Sequence, residues 1–237
     1  MTDAHSVLVS ASILNADFSR LDRVVHKMER AGADRLHLDV MDGHFVDNIT
    51  FGPDLVAAFR RLTEMPLDVH LMISEPARYM DRFIEAGPQT ITIHVETEES
   101  AERKSAAIEA IHAAGQGAGL AVSPDTMVEA VTPWLDQLDI IMIMSVYPGW
   151  GGQGFLPETA PKIAAARAAL ASAGRGGLVH VDGGVNSKTA ELVGRHGIDV
   201  CVVGSALFQR GEDASQEVEL VKELAGRGRD AFAAGSG

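Results

Sequence analysis

This chain predicts an α/β fold closed into a single (β/α)8 TIM barrel, and three observations predict it. Short β-branched runs alternate with longer stretches of helical period, eight of each, without a break. Glycines stand where helices should stop, at Gly32, Gly87, Gly115, Gly174 and Gly197. The length, 237 residues, is close to the roughly 250 typical of a one-domain barrel of this kind. Eight uninterrupted strand–helix units favour closure over an open doubly wound sheet. The first strand also leads into Ser10-Ala-Ser-Ile-Leu-Asn15, which lacks a dinucleotide glycine fingerprint.

In chain order, the first strand is expected at 7–12 with a helix at 18–32, the second at 35–40 with 53–62, and the third at 67–72 with 76–87. The fourth follows at 90–95 with 98–115, the fifth at 117–122 with 125–137, and the sixth at 139–145 with 158–173. The last two are 178–182 with 187–197, and 199–204 with 213–226. No linker or low-complexity segment interrupts the body, so residues 1–237 form one domain, with the tail from about 228 expected to fray.

Composition narrows the function. No apolar run approaches the ~20 residues of a membrane span, and Met1–Ser10 does not read as a signal peptide. Cys201 is the only cysteine, so an intrachain disulfide or a cysteine zinc cluster is excluded and a reduced, cytoplasmic setting fits. A formal net charge of −13 repels nucleic acid and anionic membranes. It would repel a phosphorylated substrate as well, so a phosphate site must be built locally from backbone N–H groups.

The strand ends carry the chemistry in such barrels, and here they are polar. The second strand ends in His37-Leu-Asp39-Val-Met41-Asp42, the third in His70-Leu-Met72, the seventh in His180-Val-Asp182. Side chains alternate along a strand, so His37, Asp39 and Met41 share one face, as do His70 with Met72 and His180 with Asp182. If that face is the interior, His37, Asp39, His70 and Asp182 converge near the top of the axis. Each alone reads as a hydrogen-bonded core residue, but buried carboxylates are expensive without partners. Taken together they suit one divalent ion, with zinc, iron or manganese all reasonable. Met41, Met72 and Met144 fit either an apolar cap or plain core, and the pattern leaves both open.

At this point the motifs resemble the ribulose-phosphate 3-epimerase family. They are Ser12-Ile-Leu-Asn-Ala-Asp-Phe18, His37-Leu-Asp-Val-Met-Asp-Gly-His-Phe-Val46, Leu67-Asp-Val-His-Leu-Met72, Pro148-Gly-Trp-Gly-Gly-Gln153 and Val181-Asp-Gly-Gly-Val-Asn186. The resemblance covers about residues 7–210. It implies that His37, Asp39, His70 and Asp182 bind a metal (Zn, Fe, Mn or Co), and that Asp39 and Asp182 are the acid/base pair. Substrate contacts are implied for Ser12, His70, Asp182, the methionines Met41, Met72 and Met144, and Gln153. They are also implied for Gly149, Gly151, Gly152, Gly183, Gly184, Gly204 and Ser205. The implied reaction is interconversion of D-ribulose 5-phosphate and D-xylulose 5-phosphate, with another ketose phosphate such as allulose 6-phosphate as the alternative. A homo-oligomer is expected. Asp47, Tyr147, Gly154 and His180 depart from the family's usual Pro, Asn, Ser and Glu, which leaves the exact sugar open.

Independently of the family, inversion at a carbon removes a proton from one face and returns one on the other, which suits two carboxylates from different strands. The glycines after strands six to eight let backbone N–H groups approach an anion, although each can equally serve a tight turn. Ser205-Ala-Leu-Phe208 is expected to form a short extra helix beside them. A Schiff-base aldolase would need a strand-end lysine, yet all five lysines fall in helical segments. The Asp-x-Lys-x-x-Asp motif of the related decarboxylases and hexulose-phosphate synthases is also absent, since the corresponding run is Asp39-Val-Met-Asp-Gly-His44. A catalytically silent sugar-phosphate binder would have no need of paired Asp39 and Asp182.

Overall fold

Eight parallel strands pair in sequence order, and the last closes on the first. They are β1 (Leu8–Ser12), β2 (Arg35–Met41), β3 (Leu67–Met72), β4 (Thr90–His94), β5 (Gly117–Val122), β6 (Ile140–Met144), β7 (Leu178–Asp182) and β8 (Val200–Val203). This computed structural model describes residues 6–174, 176–209 and 214–235. The helices outside the barrel are α1 (Leu21–Arg30), α2 (Pro53–Leu62), α3 (Pro76–Glu85), α4 (Ala101–Ala113), α5 (Ala160–Ser172) and α6 (Ala190–Gly194). The short α7 (Ser205–Gln209) forms where expected, and α8 (Ser215–Gly235) ends the described chain. The single TIM barrel read from the sequence is therefore the fold.

Local chemistry explains most boundaries. Pro53 and Pro76 open α2 and α3 at first-turn positions, where the missing N–H costs nothing. The Ser100 side chain caps α4 by accepting from the Arg103 N–H. The five stop glycines all take the left-handed backbone conformation.

Three elements differ from expectation. The stretch expected as a helix at 125–137 is a 3-10 helix over Val128–Gln137, because Pro133 lies inside it and has no N–H for an α-helical bond. The 187–197 helix shortens to α6. The tail expected to fray from about 228 is instead part of α8, which continues to Gly235. Gly228 of α8 and Gly194 of α6 are packing devices: a Cβ on Gly228 would lie 2.5 Å from the Glu191 carbonyl oxygen, and one on Gly194 would lie 2.2 Å from that of Ala225. Bare backbone at both places lets α6 and α8 touch. Position 213, the expected start of the last helix, and the final two residues lie outside the described residues.

The alternation of β side chains divides the strands between two environments. Val9, Leu38, Val69, Ile91, Leu120, Ile141 and Val179 face outward into one continuous core with Met28, Phe59, Phe83, Ile108 and Ile163 of the helices. Each such side chain contributes about 1.5–3 kcal/mol when fully buried. The other face lines the barrel interior and is polar around most of its circuit, with Ser10, Ser12, His37, Asp39, Asp68, His70, Thr90, Thr92, His94 and His180 all buried. Its apolar stretches are the β5–β6 side, where Ala121, Ile140, Met142 and Met144 form a separate cluster, and β8, whose buried Val200 and Val202 alternate with the outward Cys201 and Val203.

Candidate active site

The β2–β3 ladder sets the site. Its register pairs His37 with Asp68, Asp39 with His70 and Met41 with Met72. Asp182, at the end of β7, completes a cluster in which one ligand-capable atom from each of His37, Asp39, His70 and Asp182 lies within 4.8 Å of the others. The His37 Nε2 atom is 3.2 Å from Asp39 Oδ1 and 3.6 Å from Asp182 Oδ2. The Nδ1 atom of His70 is 3.3 Å and 3.5 Å from the same two oxygens. All four residues predicted to converge do so.

The electrostatics call for positive charge at the centre. Burial disfavours the charged imidazolium of His37, but the Asp39 and Asp68 carboxylates outweigh it and raise the ring well above its ordinary value. The His70 ring is raised too, by hydrogen bonds and charge from Asp182 and Asp39 acting against burial. Burial opposes ionisation of Asp39 as well, yet His37 and His70 hold that carboxyl below the usual range. For Asp182, burial and the neighbouring Asp39 charge both push upward, and the nearby His37 and His70 rings prevail to lower it.

A divalent cation would satisfy this cluster with both rings neutral. The donor set fits one: two imidazoles and two carboxylates suit zinc or iron-like ions. His37 supplies a direct test of the fit. Its Nδ1 is engaged 3.0 Å from Asp68 Oδ2. Its buried Nε2 faces the cluster without a hydrogen bond, so this is the atom that would offer a lone pair once a cation displaced the ring's second proton. Metal-bound histidines almost always have such a carboxylate behind them.

Asp68, His94 and Glu96 support the cluster and were not read from the sequence as part of the site, whereas His180 was expected behind the ligands and is found there. Asp68 is fully buried and accepts from Thr90 Oγ1 at 2.8 Å and Ser10 Oγ at 3.3 Å in addition to His37. The His180 ring lies 3.5 Å from Asp68, beneath the cluster and outside it. His94, to which the sequence assigned no role, places its Nε2 2.9 Å from His70 Nε2 and its Nδ1 2.9 Å from Glu96 Oε2. A signal existed: Asp68 and His94 share the inward alternation of His70 and Thr92 on their strands.

Above the cluster opens a cavity lined by Asp39 and Asp182 together with Ser12, Met41, Met72 and Met144. Gly149, Gly151, Gly152, Gln153, Gly183, Gly184, Gly204 and Ser205 form its other walls. His70 does not reach this surface; its ring is fully buried below it. Ser12 Oγ donates to Asp39 Oδ2 at 2.7 Å. Met41 and Met72 pack together with Val46, Leu14 and Phe45, while Met144 belongs to the β5–β6 cluster. The methionines thus serve as core and as cavity wall at once. Gln153 donates from Nε2 to the Tyr147 and Trp150 carbonyl oxygens, tying its own loop. Tyr147 OH donates to Asp125 at 3.0 Å.

Comparison with known proteins gives a consistent picture. The Ribulose-phosphate 3 epimerase family matches residues 8–208. A ribulose-phosphate 3-epimerase of Chlamydia pneumoniae is 41% identical over 223 residues, covering 93% of this chain and 96% of that relative. One from Bacillus subtilis (strain 168) is 42% identical over 207 residues, covering 87% and 94%. Among solved structures, 3-hexulose-6-phosphate synthase from Salmonella typhimurium matches with a TM-score of 0.67 and 15% identity, covering 94% of this chain and 100% of that one. That last likeness is one of fold alone. Among the described residues, no helix is long and apolar enough to cross a membrane.

Proposed function

The chain belongs to the ribulose-phosphate 3-epimerase family, and from that premise we propose that it inverts C3 of D-ribulose 5-phosphate to give D-xylulose 5-phosphate. One observation carries the reading: two carboxylates from different strands, buried Asp39 and largely buried Asp182, are held by the same two imidazoles at the floor of one cavity. His37, Asp39, His70 and Asp182 would hold one divalent ion. When bound, Zn, Fe, Mn or Co supplies Lewis acidity for the negative charge that develops on substrate oxygens as the C3 proton leaves.

The remaining work falls to the protein. Asp39 and Asp182 stand three strands apart around the barrel, so each can address a different face of C3, one removing and the other returning a proton. Ser12 holds Asp39 Oδ2 by its hydroxyl and fixes which oxygen faces the substrate. The sulfur-rich wall of Met41, Met72 and Met144 keeps bulk water from the carbanionic carbon. At the far end, the glycine loops of 149–152, 183–184 and 204 expose backbone N–H groups to the phosphate, which a chain of net charge −13 could not hold through its overall field. The working protein is placed in the cytoplasm as an assembly of more than one copy, the latter to be read by sedimentation.

The test is deuterium uptake at C3 from heavy water, with metal occupancy checked in each variant. Asp182→Asn should still exchange one epimer through Asp39 without inverting it, and Asp39→Asn should exchange the other. Rapid epimerisation by either variant, or loss of exchange with the same epimer in both, would indicate a single base. A purely binding barrel would exchange nothing. A panel of pentulose and hexulose phosphates fixes the sugar.

A further inference from the structure

We propose that His94 and Glu96 are positioning residues that fix the tautomer of His70, so that Nδ1 is the nitrogen this ring offers to the metal. The inference rests on the metal reading above, and its test separates the two.

The argument is one of counting protons. Glu96 Oε2 lies 2.9 Å from His94 Nδ1, and a carboxylate can only accept there, so the proton is on His94 Nδ1. His94 Nε2 lies 2.9 Å from His70 Nε2, and one of two nitrogens at that distance must donate. With the His94 proton committed to Glu96, a neutral His94 has only a lone pair at Nε2. The donor is then His70, through Nε2–H. With a cation in the cluster, whose charge would replace the proton that His70 Nδ1 otherwise shares with Asp39 Oδ1 at 3.3 Å, this order leaves Nδ1 free to present its own lone pair. The reverse order would need either a charged His94 or a bare nitrogen set against a carboxylate.

The surroundings support the neutral ring. His94 is fully buried, and burial in an apolar setting disfavours a charged ring. Phe45 covers it at a centroid distance of 4.7 Å, and it stacks on His70 at 5.0 Å with 24° between the planes. Glu96 is itself fixed, since Oε1 accepts the Ser123 N–H at 2.7 Å. Burial opposes its ionisation, but its hydrogen bonds, the one with His94 foremost and that from the Ser123 N–H behind it, keep the carboxyl down at about 2. The acid, relay ring and ligand ring thus make one directed chain from the loop after β4 into the cluster.

Nitrogen-15 NMR of the imidazoles, on metal-free and zinc-loaded protein, reads the tautomers. His94 should carry its proton on Nδ1 in both states, and zinc-loaded His70 should carry its proton on Nε2. Finding His94 protonated at Nε2, in wild type, overturns the proposal whether or not any variant folds. Chelator competition then measures zinc affinity. Glu96→Gln, whose amide can satisfy either His94 tautomer, and His94→Phe, which removes the acceptor, should each weaken zinc about 10–100-fold. His94→Gln, able to offer an amide oxygen to His70 Nε2–H, should recover most of the loss. Unchanged affinity in both Glu96→Gln and His94→Phe sinks the positioning role. Absence of zinc binding by wild type sinks the metal reading instead, and the metal-free spectrum still decides the His94 tautomer.

Discussion

Asp68 is the residue whose removal should reveal how the buried polar interior is held together. It is 0% exposed and meets His37 Nδ1 at 3.0 Å, Thr90 Oγ1 at 2.8 Å and Ser10 Oγ at 3.3 Å. Burial alone would raise its carboxyl, but His37 and His180 together hold it well below the ordinary range. Asp68→Asn keeps the volume and one acceptor oxygen while removing the charge. Breaking a buried charged pair costs about 3–5 kcal/mol, and the retained acceptor argues for the lower end. At about 2–4 °C per kcal/mol for a chain of this size, the metal-free Tm should fall by roughly 6–12 °C. The sign with pH follows from the shifts. A depressed carboxyl stabilises above its unfolded value near 3.9, whereas a raised imidazole stabilises fully below its unfolded value near 6.5. The gap between wild type and variant should therefore be widest between about pH 4 and 6.5, narrow as pH falls below about 4, and shrink again once pH rises through the raised value of His37. Calorimetry across that range measures it, and zinc competition should show a loss of about 10–100-fold in affinity. A Tm within ~2 °C of wild type at pH 6, with zinc affinity unchanged, would falsify the view that Asp68 organises His37.

Other outcomes follow from single contacts. A Cβ on Gly204 would sit 3.5 Å from Ser12 Cβ, an ordinary contact on the cavity wall, so Gly204→Ala should keep its Tm and raise KM for the phosphorylated substrate. Gly184→Ala should instead lower Tm whether or not phosphate binds there, because its φ is +66° and the new Cβ would lie 2.3 Å from the Phe155 nitrogen. Burial pushes the Cys201 thiol up to about 12, so iodoacetamide at pH 8 should label it only as fast as the chain unfolds. Asp42 is held at about 2: burial opposes ionisation, but Ser74 and the N–H groups of Phe45 and His44 outweigh it. Its stabilisation is present above about pH 4 and lost toward about pH 2, so Asp42→Ala should flatten the acid limb of a Tm–pH curve.

The barrel was legible because strand and helix periods alternate cleanly, and because the stop glycines mark helix ends that any helix of L-residues needs. What failed depended on partners distant in sequence. Pro133 was visible, but a 3-10 helix and an α-helix share too much periodicity to tell apart over ten residues. The stretch beyond Arg227, ending Gly235-Ser-Gly237, suggested a fraying tail, and only the approach of Glu191 and Gly194 turns Gly228 into a contact surface. Within the site, strand-end position revealed His37, Asp39, His70 and Asp182. It could not reveal Glu96, which follows β4 and earns its place through the two-ring chain to His70.

The ordering of residues on β2 and β3 explains why these side chains converge rather than merely coexist. Inward residues on β2 run imidazole, carboxylate, methionine in His37, Asp39 and Met41; on β3 they run carboxylate, imidazole, methionine in Asp68, His70 and Met72. The observed register sets these rows side by side, so that at each charged level a base meets an acid. At the top level two methionines meet and wall the cavity beside Asp39. A slip of one residue would turn one strand's whole set toward the helices, leaving charged rings in the outer core. The paired order therefore specifies register and site together, because the arrangement that satisfies the buried charges is also the one that aims His37 Nε2 and His70 Nδ1 at Asp39 and Asp182.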